Sequence, residues 1–321
     1  MESDNHTLYN GFDFCGKRIL VIGGNGFIGG HIVRKAIDLG MEVTNLSLHT
    51  NKYDGNNTIH FRQADIKDYY SVEKAIGKDT YDFVVNCAGY INHSHFSNEG
   101  ADVINAHFQG VINLYKVLDK AALKGFVNIG SSDEYGNIES PQSEKNRESP
   151  ISPYSFAKLA TTHFLQMQYL TERFPTTVLR LFLTYGPNQD NKRFIPQIIE
   201  GCFRNEPFPV SAGTQLRDFC FIDDTVRAVF LSLITDSAKG EVFNIASGTP
   251  VAINEMINMI KLIIGKGKPE FGRIPFRSGE NMRLYANIEK ADKIINWKPL
   301  VTLKDGLQTT IDWYSKKQTA L

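Results

Sequence analysis

The chain has 321 residues, 42% of them hydrophobic, enough for a large core in one big domain or two unequal ones. Its 35 lysines and arginines balance 35 aspartates and glutamates, which disfavours polyanion binding, and no apolar run approaches a membrane span. The polar, acidic opening Met1-Glu2-Ser3-Asp4 lacks the pattern of a secretion signal, and Cys15, Cys87, Cys202 and Cys220 have neither C-x-x-C spacing nor histidines at ligand spacing, so a cytoplasmic location, reduced thiols and no metal site are expected.

The first element is the apolar run Arg18–Ile22, a predicted strand that ends in Gly23-Gly24-Asn25-Gly26-Phe27-Ile28-Gly29 and opens into a helix over Gly29–Leu39. Gly23, Gly26 and Gly29 leave room for a tight turn and for a pyrophosphate at the helix N-terminus, where free N–H groups favour anions. Further strands are predicted at Glu42–Leu46, Ile59–Gln63, Phe83–Asn86, Phe126–Gly130 and Thr177–Leu181, and helices at Tyr70–Ile76, Ala101–Leu123 and Pro153–Arg173. This alternation predicts an α/β fold, a doubly wound parallel sheet that binds ligands at the carboxyl ends of its strands. From about Tyr185 the pattern loosens around Gly186-Pro187 and Pro207-Phe208-Pro209, with helices at Asp224–Ile234 and Ile253–Ile264 and a strand at Glu241–Ile245. The expected division is a dinucleotide-binding domain of residues 1–184 plus about 222–248, and a smaller α/β substrate lobe of 185–221 and 249–321.

Ser152-Pro153-Tyr154-Ser155-Phe156-Ala157-Lys158 places a phenol and an ammonium one helical turn apart, after a capping serine and a proline at the first helical position. A phenol is a poor acid or base at neutral pH until its anion is stabilised, and a nearby ammonium and a helix N-terminus both do that. The spacing suits general acid/base catalysis, although exposed helix neighbours show the same spacing.

Together these motifs resemble the extended short-chain dehydrogenase/reductase family of nucleotide-sugar epimerases, dehydratases and ketoreductases. The match adds Asp65-Ile66, Asn86-Cys87-Ala88-Gly89, Asn105, Gly130-Ser131-Ser132, Tyr185-Gly186-Pro187, Arg217-Asp218-Phe219 and Trp297-Lys298-Pro299, in order along nearly the whole chain. The resemblance implies a Rossmann-type sheet in which Tyr154 is the acid/base, Lys158 holds the nicotinamide ribose and lowers the phenol pKa, and Ser131 or Ser132 hydrogen-bonds the same substrate oxygen. It assigns the cofactor to Gly23, Asn25, Gly26, Phe27, Ile28, Gly29, Asp65, Ile66, Cys87, Ala88, Gly89 and Asn105. Arg217 would clamp the substrate diphosphate; Arg193 and Arg277 are further candidates for the substrate, the latter with an exposed loop arginine as its alternative. It also implies a homodimer built on the helices Pro153–Arg173 and Ala101–Leu123, whose apolar residues alternatively face only the sheet.

Three departures narrow the reading. Relatives that use NAD present an acid at the end of the second strand; here Ser47 stands there, with His49 and Lys52 after it, which favours NADPH over NAD. The run Ser131-Ser132-Asp133-Glu134-Tyr135-Gly136 is one residue shorter than the dehydratase pattern, so Ser132 fills the acid slot and Asp133 the base slot, unless the gap falls elsewhere and Asp133 and Glu134 fill both. Leu183 replaces an asparagine that contacts the diphosphate in many relatives. The stretches around Arg193 and Arg217 are similar to enzymes of the CDP-abequose synthase type, and His93, after the third cofactor loop, reaches the sugar or is an ordinary loop histidine. The resulting expectation is an NADPH-dependent reductase of a nucleotide-linked 4-keto-6-deoxyhexose, with a CDP sugar favoured, serving deoxysugar or surface polysaccharide biosynthesis. A 4-epimerase, a 4,6-dehydratase and a non-catalytic cofactor-binding protein are the alternatives, in that order.

Overall fold

The computed structural model describes residues 8–50, 58–276 and 279–319. Strand β1 (Arg18–Ile22) leads through a turn at Gly23, φ 79°, into helix α1 (Phe27–Asp38). A Cβ on Gly29 would stand 2.3 Å from the Gly23 carbonyl oxygen, so only glycine lets the first turn of α1 close on the strand end. Then follow β2 (Glu42–Ser47), β3 (Ile59–Gln63), α2 (Tyr69–Ile76) and β4 (Phe83–Asn86).

The next helical stretch, α3, runs through Phe96–Gly100, Ala101–Ile104, Asn105–Gln109 and Gly110–Val117, the first and third of these being π-helical turns. It stops at Val117 rather than at the expected Leu123, because Leu118 turns to an extended ψ of 135° and the chain swings into β5 (Gly125–Ser131). A 3-10 turn, Ser132–Tyr135, precedes α4 (Pro153–Glu172), which ends where Arg173 adopts φ 56°. After β6 (Thr176–Leu181) come β7 (Leu183–Tyr185), α5 (Phe194–Arg204), β8 (Pro207–Pro209), β9 (Leu216–Phe221) and α6 (Ile222–Ile234). The chain closes with β10 (Val242–Ile245), β11 (Pro250–Ala252), α7 (Ile253–Ile264), β12 (Lys268–Glu270), β13 (Arg283–Leu284), α8 (Glu289–Ile295) and α9 (Leu303–Thr319).

Seven parallel strands form one sheet in the order β10-β6-β5-β4-β1-β2-β3. Its central strands are buried apolar runs, as a sheet covered on both faces requires. The winding reverses between β1 and β4 and opens a crevice at their carboxyl ends. A second sheet hangs beyond those ends: β9 pairs with β11 antiparallel and with β7 and β13 in parallel.

One buried charge network joins these parts. Arg180 on β6 is 1% exposed; its Nε donates to Glu134 Oε2 at 2.8 Å and its NH2 to Glu148 Oε1 at 2.7 Å, and its guanidinium covers the Tyr135 ring at 4.5 Å. Glu134 also accepts from the Ser131 backbone N–H at 2.9 Å and from Thr162 Oγ1 of α4 at 2.8 Å. Removing one partner of such a pair strands a buried charge, whereas replacing both by apolar groups is often tolerated. Arg180→Met is therefore expected to cost about 3–5 kcal/mol on chemical denaturation, with Arg180→Met/Glu134→Leu recovering much of it. A loss below about 1 kcal/mol in the single variant would show that the network does not hold the fold together.

Candidate active site

A cleft of about 1220 Å³ lies where the crevice meets the second sheet. Its walls include Gly23, Gly26, Phe27, Ile28 and Gly29 from the first loop, Cys87, Ala88 and Gly89 after β4, and Ser131, Ser132, Asp133, Tyr154 and Lys158. Arg193, Phe208, Arg217, Phe276 and Glu280 line its far end. The N-terminus of α1 has no side-chain cap and no acid in its first turn, so its N–H groups face the cleft as an anion site. Together with the glycine loop this fits a dinucleotide pyrophosphate.

Ser152 caps α4 by accepting from Ser155 N at 3.1 Å, with Pro153 at the first helical position. That register brings Tyr154 (4% exposed) and Lys158 (7% exposed) into the cleft together, the Lys158 Nζ 5.9 Å from the centre of the phenol ring. Burial raises the Tyr154 pKa, the Asp133 carboxylate raises it further, and a hydrogen bond with Ser131 opposes both. Burial also lowers Lys158 to about 8, while its Nζ donates to the Ile129 carbonyl at 2.7 Å. Both groups are thus pushed toward neutrality, and the phenol is held as a proton donor. The Cys87 thiol, driven up to about 12 by desolvation, is no nucleophile at neutral pH.

Asp133 and Glu134 part company. Glu134 turns inward to Arg180, while Asp133 faces the cleft 3.7 Å from His93, its pKa raised first by burial. Of the two carboxylates, Asp133 lines the cleft with Tyr154 and Glu134 does not. Ser131 and Ser132 lie at the end of β5, both buried.

Other residues singled out in the sequence occupy different places. Ser47 is 5% exposed and does not point outward; its hydroxyl donates to Asn45 Oδ1 at 2.9 Å and accepts from Asn25 N at 3.2 Å, so it braces the glycine loop. The Asn25 side chain donates to the carbonyls of His49 and Thr50, and His49 is exposed. Asp65 accepts from Lys67 N at 2.9 Å, Ile66 packs beneath Gly110 of α3, and Asn105 is exposed on a π turn; none of the three lines the cleft. Lys52 and Arg277 fall outside the described residues. Arg217 is held by Glu280 and by the carbonyls of Leu216 and Asn281.

Two functional side chains escaped the sequence reading. Arg180 sets the direction of Glu134, and its signal was an arginine inside an apolar strand. His107 stands under the phenol, ring centres 5.1 Å apart, with Nε2 2.8 Å from the Tyr90 carbonyl oxygen. Burial lowers it to about 3, so it is a neutral wedge against Gly89, where a Cβ would lie 2.1 Å from its Cε1.

The sign of the Lys158 shift gives a stability test. The folded chain holds this proton less tightly than the unfolded chain, whose lysine keeps a value near 10.5. Its contribution to stability therefore rises between about pH 8 and 10.5, and the full deficit is present below pH 8. Lys158→Met is expected to gain on the order of 2 kcal/mol at neutral pH and to flatten the rise of unfolding free energy across that window. A variant less stable than the parent at pH 7 would show that the bond to Ile129 outweighs the burial cost.

Residues 19–246 match the family described as the NAD dependent epimerase/dehydratase family. Over 304 residues the chain is 31% identical to a putative UDP-glucose 4-epimerase of Methanocaldococcus jannaschii, covering 92% of this chain and 97% of that one. It is 27% identical to a dTDP-glucose 4,6-dehydratase of Neisseria gonorrhoeae, covering 94% and 97%. Among solved structures, the UDP-glucose 4-epimerase of Thermotoga maritima with UDP-glucose superimposes with a TM-score of 0.86 at 28% identity, covering 94% of this chain and 99% of that one. An epimerase of Methanothermobacter thermautotrophicus, at 22% identity, shares the fold with a TM-score of 0.88 and coverage of 98% and 97%.

Proposed function

This chain belongs to the NAD dependent epimerase/dehydratase family, within the extended short-chain dehydrogenases/reductases, and we propose that it reduces the keto group of a nucleotide-linked 4-keto-6-deoxyhexose with NADPH. The observation that carries the reading is the fate of the two neighbouring carboxylates. The dehydratase pattern sets a carboxylic acid and a carboxylate base beside the phenol, and with Glu134 committed to Arg180 only one of the two neighbouring carboxylates, Asp133, remains there.

NADPH, when bound, supplies the hydride. Tyr154 protonates the forming alkoxide, a task that suits a phenol kept protonated by burial and by Asp133. Ser131 holds the same oxygen, and Lys158 balances charge beneath the phenol. Ser47 and the glycine loop leave the β2 end without a carboxylate to repel a 2′-phosphate, which supports NADPH. Arg193 and Arg217 serve the diphosphate, a role that suits guanidinium forks. A CDP-linked deoxysugar and a homodimer through α3 and α4 complete the proposal; Phe156, Met167 and Leu170 lie exposed along α4.

The second reading, a 4-epimerase, draws on the relatives that carry that name. The two differ in redox balance. The reductase consumes NADPH in step with product, with higher kcat/KM than for NADH, whereas cofactor that co-purifies and is regenerated each turnover would establish the epimerase. Tyr154→Phe is expected to lower kcat/KM about 100- to 10,000-fold while NADPH binding, followed by calorimetry, persists. Full activity in that variant would refute the mechanism.

A further inference from the structure

We propose that His31 of α1 and Tyr314 of α9 are positioning residues for the loop from Gly186 to Arg193, which they clamp between them so that Arg193 meets the substrate diphosphate. The proposal rests on the reading above that Arg193 serves that diphosphate. Neither His31 nor Tyr314 lines the cleft, so each acts through the loop.

The loop leaves β7 after Tyr185 and enters α5 at Phe194. Gln189, Asp190, Asn191, Lys192 and Arg193 all line the cleft. Arg193 also acts through its charge on Asp133 and Tyr154, so the placement of this loop is felt at the reacting end as well. A connecting segment without regular structure is ordinarily the mobile part of a site. Here its own bonds shape it: Gln189 Nε2 donates to the Thr184 carbonyl at 2.8 Å, Lys192 N to Asp190 Oδ1 at 2.8 Å, and Arg193 N to the Asp190 carbonyl at 2.9 Å.

Two side chains from far along the chain then fix that shape to the body of the protein. His31 Nε2 lies 2.9 Å from the Pro187 carbonyl oxygen, and the Tyr314 hydroxyl donates to the Gln189 carbonyl. Between these two carbonyls Asn188 turns the chain at φ 65°, a conformation uncommon outside glycine. The two anchors therefore hold the loop on either side of its sharpest turn.

The chemistry of both anchors makes them permanent donors. A carbonyl oxygen only accepts, so His31 must carry its proton on Nε2. Burial lowers its pKa to about 4, and the neutral ring keeps that single role through the physiological range. Tyr314 is 3% exposed, and burial together with the carboxylates of Glu200 and Asp190 raises its pKa, so the phenol stays protonated. Each donor would be stranded in a dry site if its carbonyl moved away, which opposes loop motion from both sides. His31 also packs edge-on against Phe27, ring centres 5.5 Å apart, and Phe27 lines the cleft beside the glycine loop. The segment that carries Arg193 is thereby referenced to the helix that receives the cofactor pyrophosphate and to the last helix of the fold.

The test measures binding of CDP, GDP, UDP and dTDP to the intact protein by calorimetry, beside NADPH binding and thermal unfolding. Tyr314→Phe, which removes only the hydroxyl, is expected to weaken the preferred nucleoside diphosphate about 5- to 10-fold and to leave NADPH affinity unchanged. His31→Leu gives the same measurement from α1, and His31→Gln, which keeps an N–H donor, is expected to recover part of the loss. In an Arg193→Gln background the effect of Tyr314→Phe should vanish, because the two changes act on one contact. A merely structural bond would lower the unfolding temperature of Tyr314→Phe and His31→Leu without moving diphosphate affinity. That result, with affinity lost in Arg193→Gln, overturns the proposal and leaves the diphosphate reading standing. Undiminished affinity in Arg193→Gln, or binding of none of the four diphosphates, overturns both.

Discussion

An arginine buried to 1% exposure in a sheet strand survives only if every donor and the flat of its guanidinium are satisfied, since desolvating an unpaired charge costs several kcal/mol. Around Arg180 that demand is met by two carboxylates and the Tyr135 ring. The consequences run outward from it. Glu134 must turn inward, its oxygens then hold the Ser131 N–H and the Thr162 hydroxyl of α4, and the end of β5 is fixed against the helix that carries Tyr154 and Lys158. Asp133, one residue earlier in a tight turn, is left facing the cleft. The position of the acid beside the phenol is thus a by-product of neutralising a buried cation.

The same low-dielectric setting shapes the proton chemistry. Burial penalises charge of either sign, so it holds Tyr154 protonated and loosens the proton of Lys158. Asp133 adds to the first effect, because a neighbouring carboxylate opposes a phenolate. A donor held ready where an alkoxide develops needs little reorganisation during the reaction. The reverse task, taking a proton from a sugar hydroxyl, works against these same charges.

The sheet strands, the glycine loop and the capped Tyr154 helix were legible because their signals are local: apolar runs of strand length, glycines in a turn, and a serine and proline at a helix start. The features that escaped depend on partners distant in sequence. Whether Asp133 or Glu134 faces the cleft is decided by Arg180, 46 residues beyond Glu134. Ser47 stands at the strand end where NAD-using relatives present an acid, yet Asn25 and Asn45 draw its hydroxyl into the loop. The π turns of α3 and its early stop at Val117, where Leu118 turns extended, leave no mark in the periodicity of the helix itself.

The Arg217 end of the cleft repeats the logic of the Tyr154 end. On β9, Asp218 is fully buried and accepts from Ser247 N, Ser247 Oγ, Gly248 N and Ala286 N, so one carboxylate binds together the strand, the segment after β10 and the segment after β13. Burial raises its pKa and these bonds pull it back. Successive side chains of a strand point to opposite faces, so with Asp218 turned inward its neighbour Arg217 turns toward the cleft, where Glu280 and two carbonyls hold its fork in place. A guanidinium organised in this way loses little further freedom when it meets a diphosphate, and its neutralising partner keeps the lobe from self-repulsion when no anion is there. At each end of the cleft, then, a structural acid is locked into the fold and the residue beside it in sequence is the one that lines the cleft; loss of the lock misaims the neighbour without touching it.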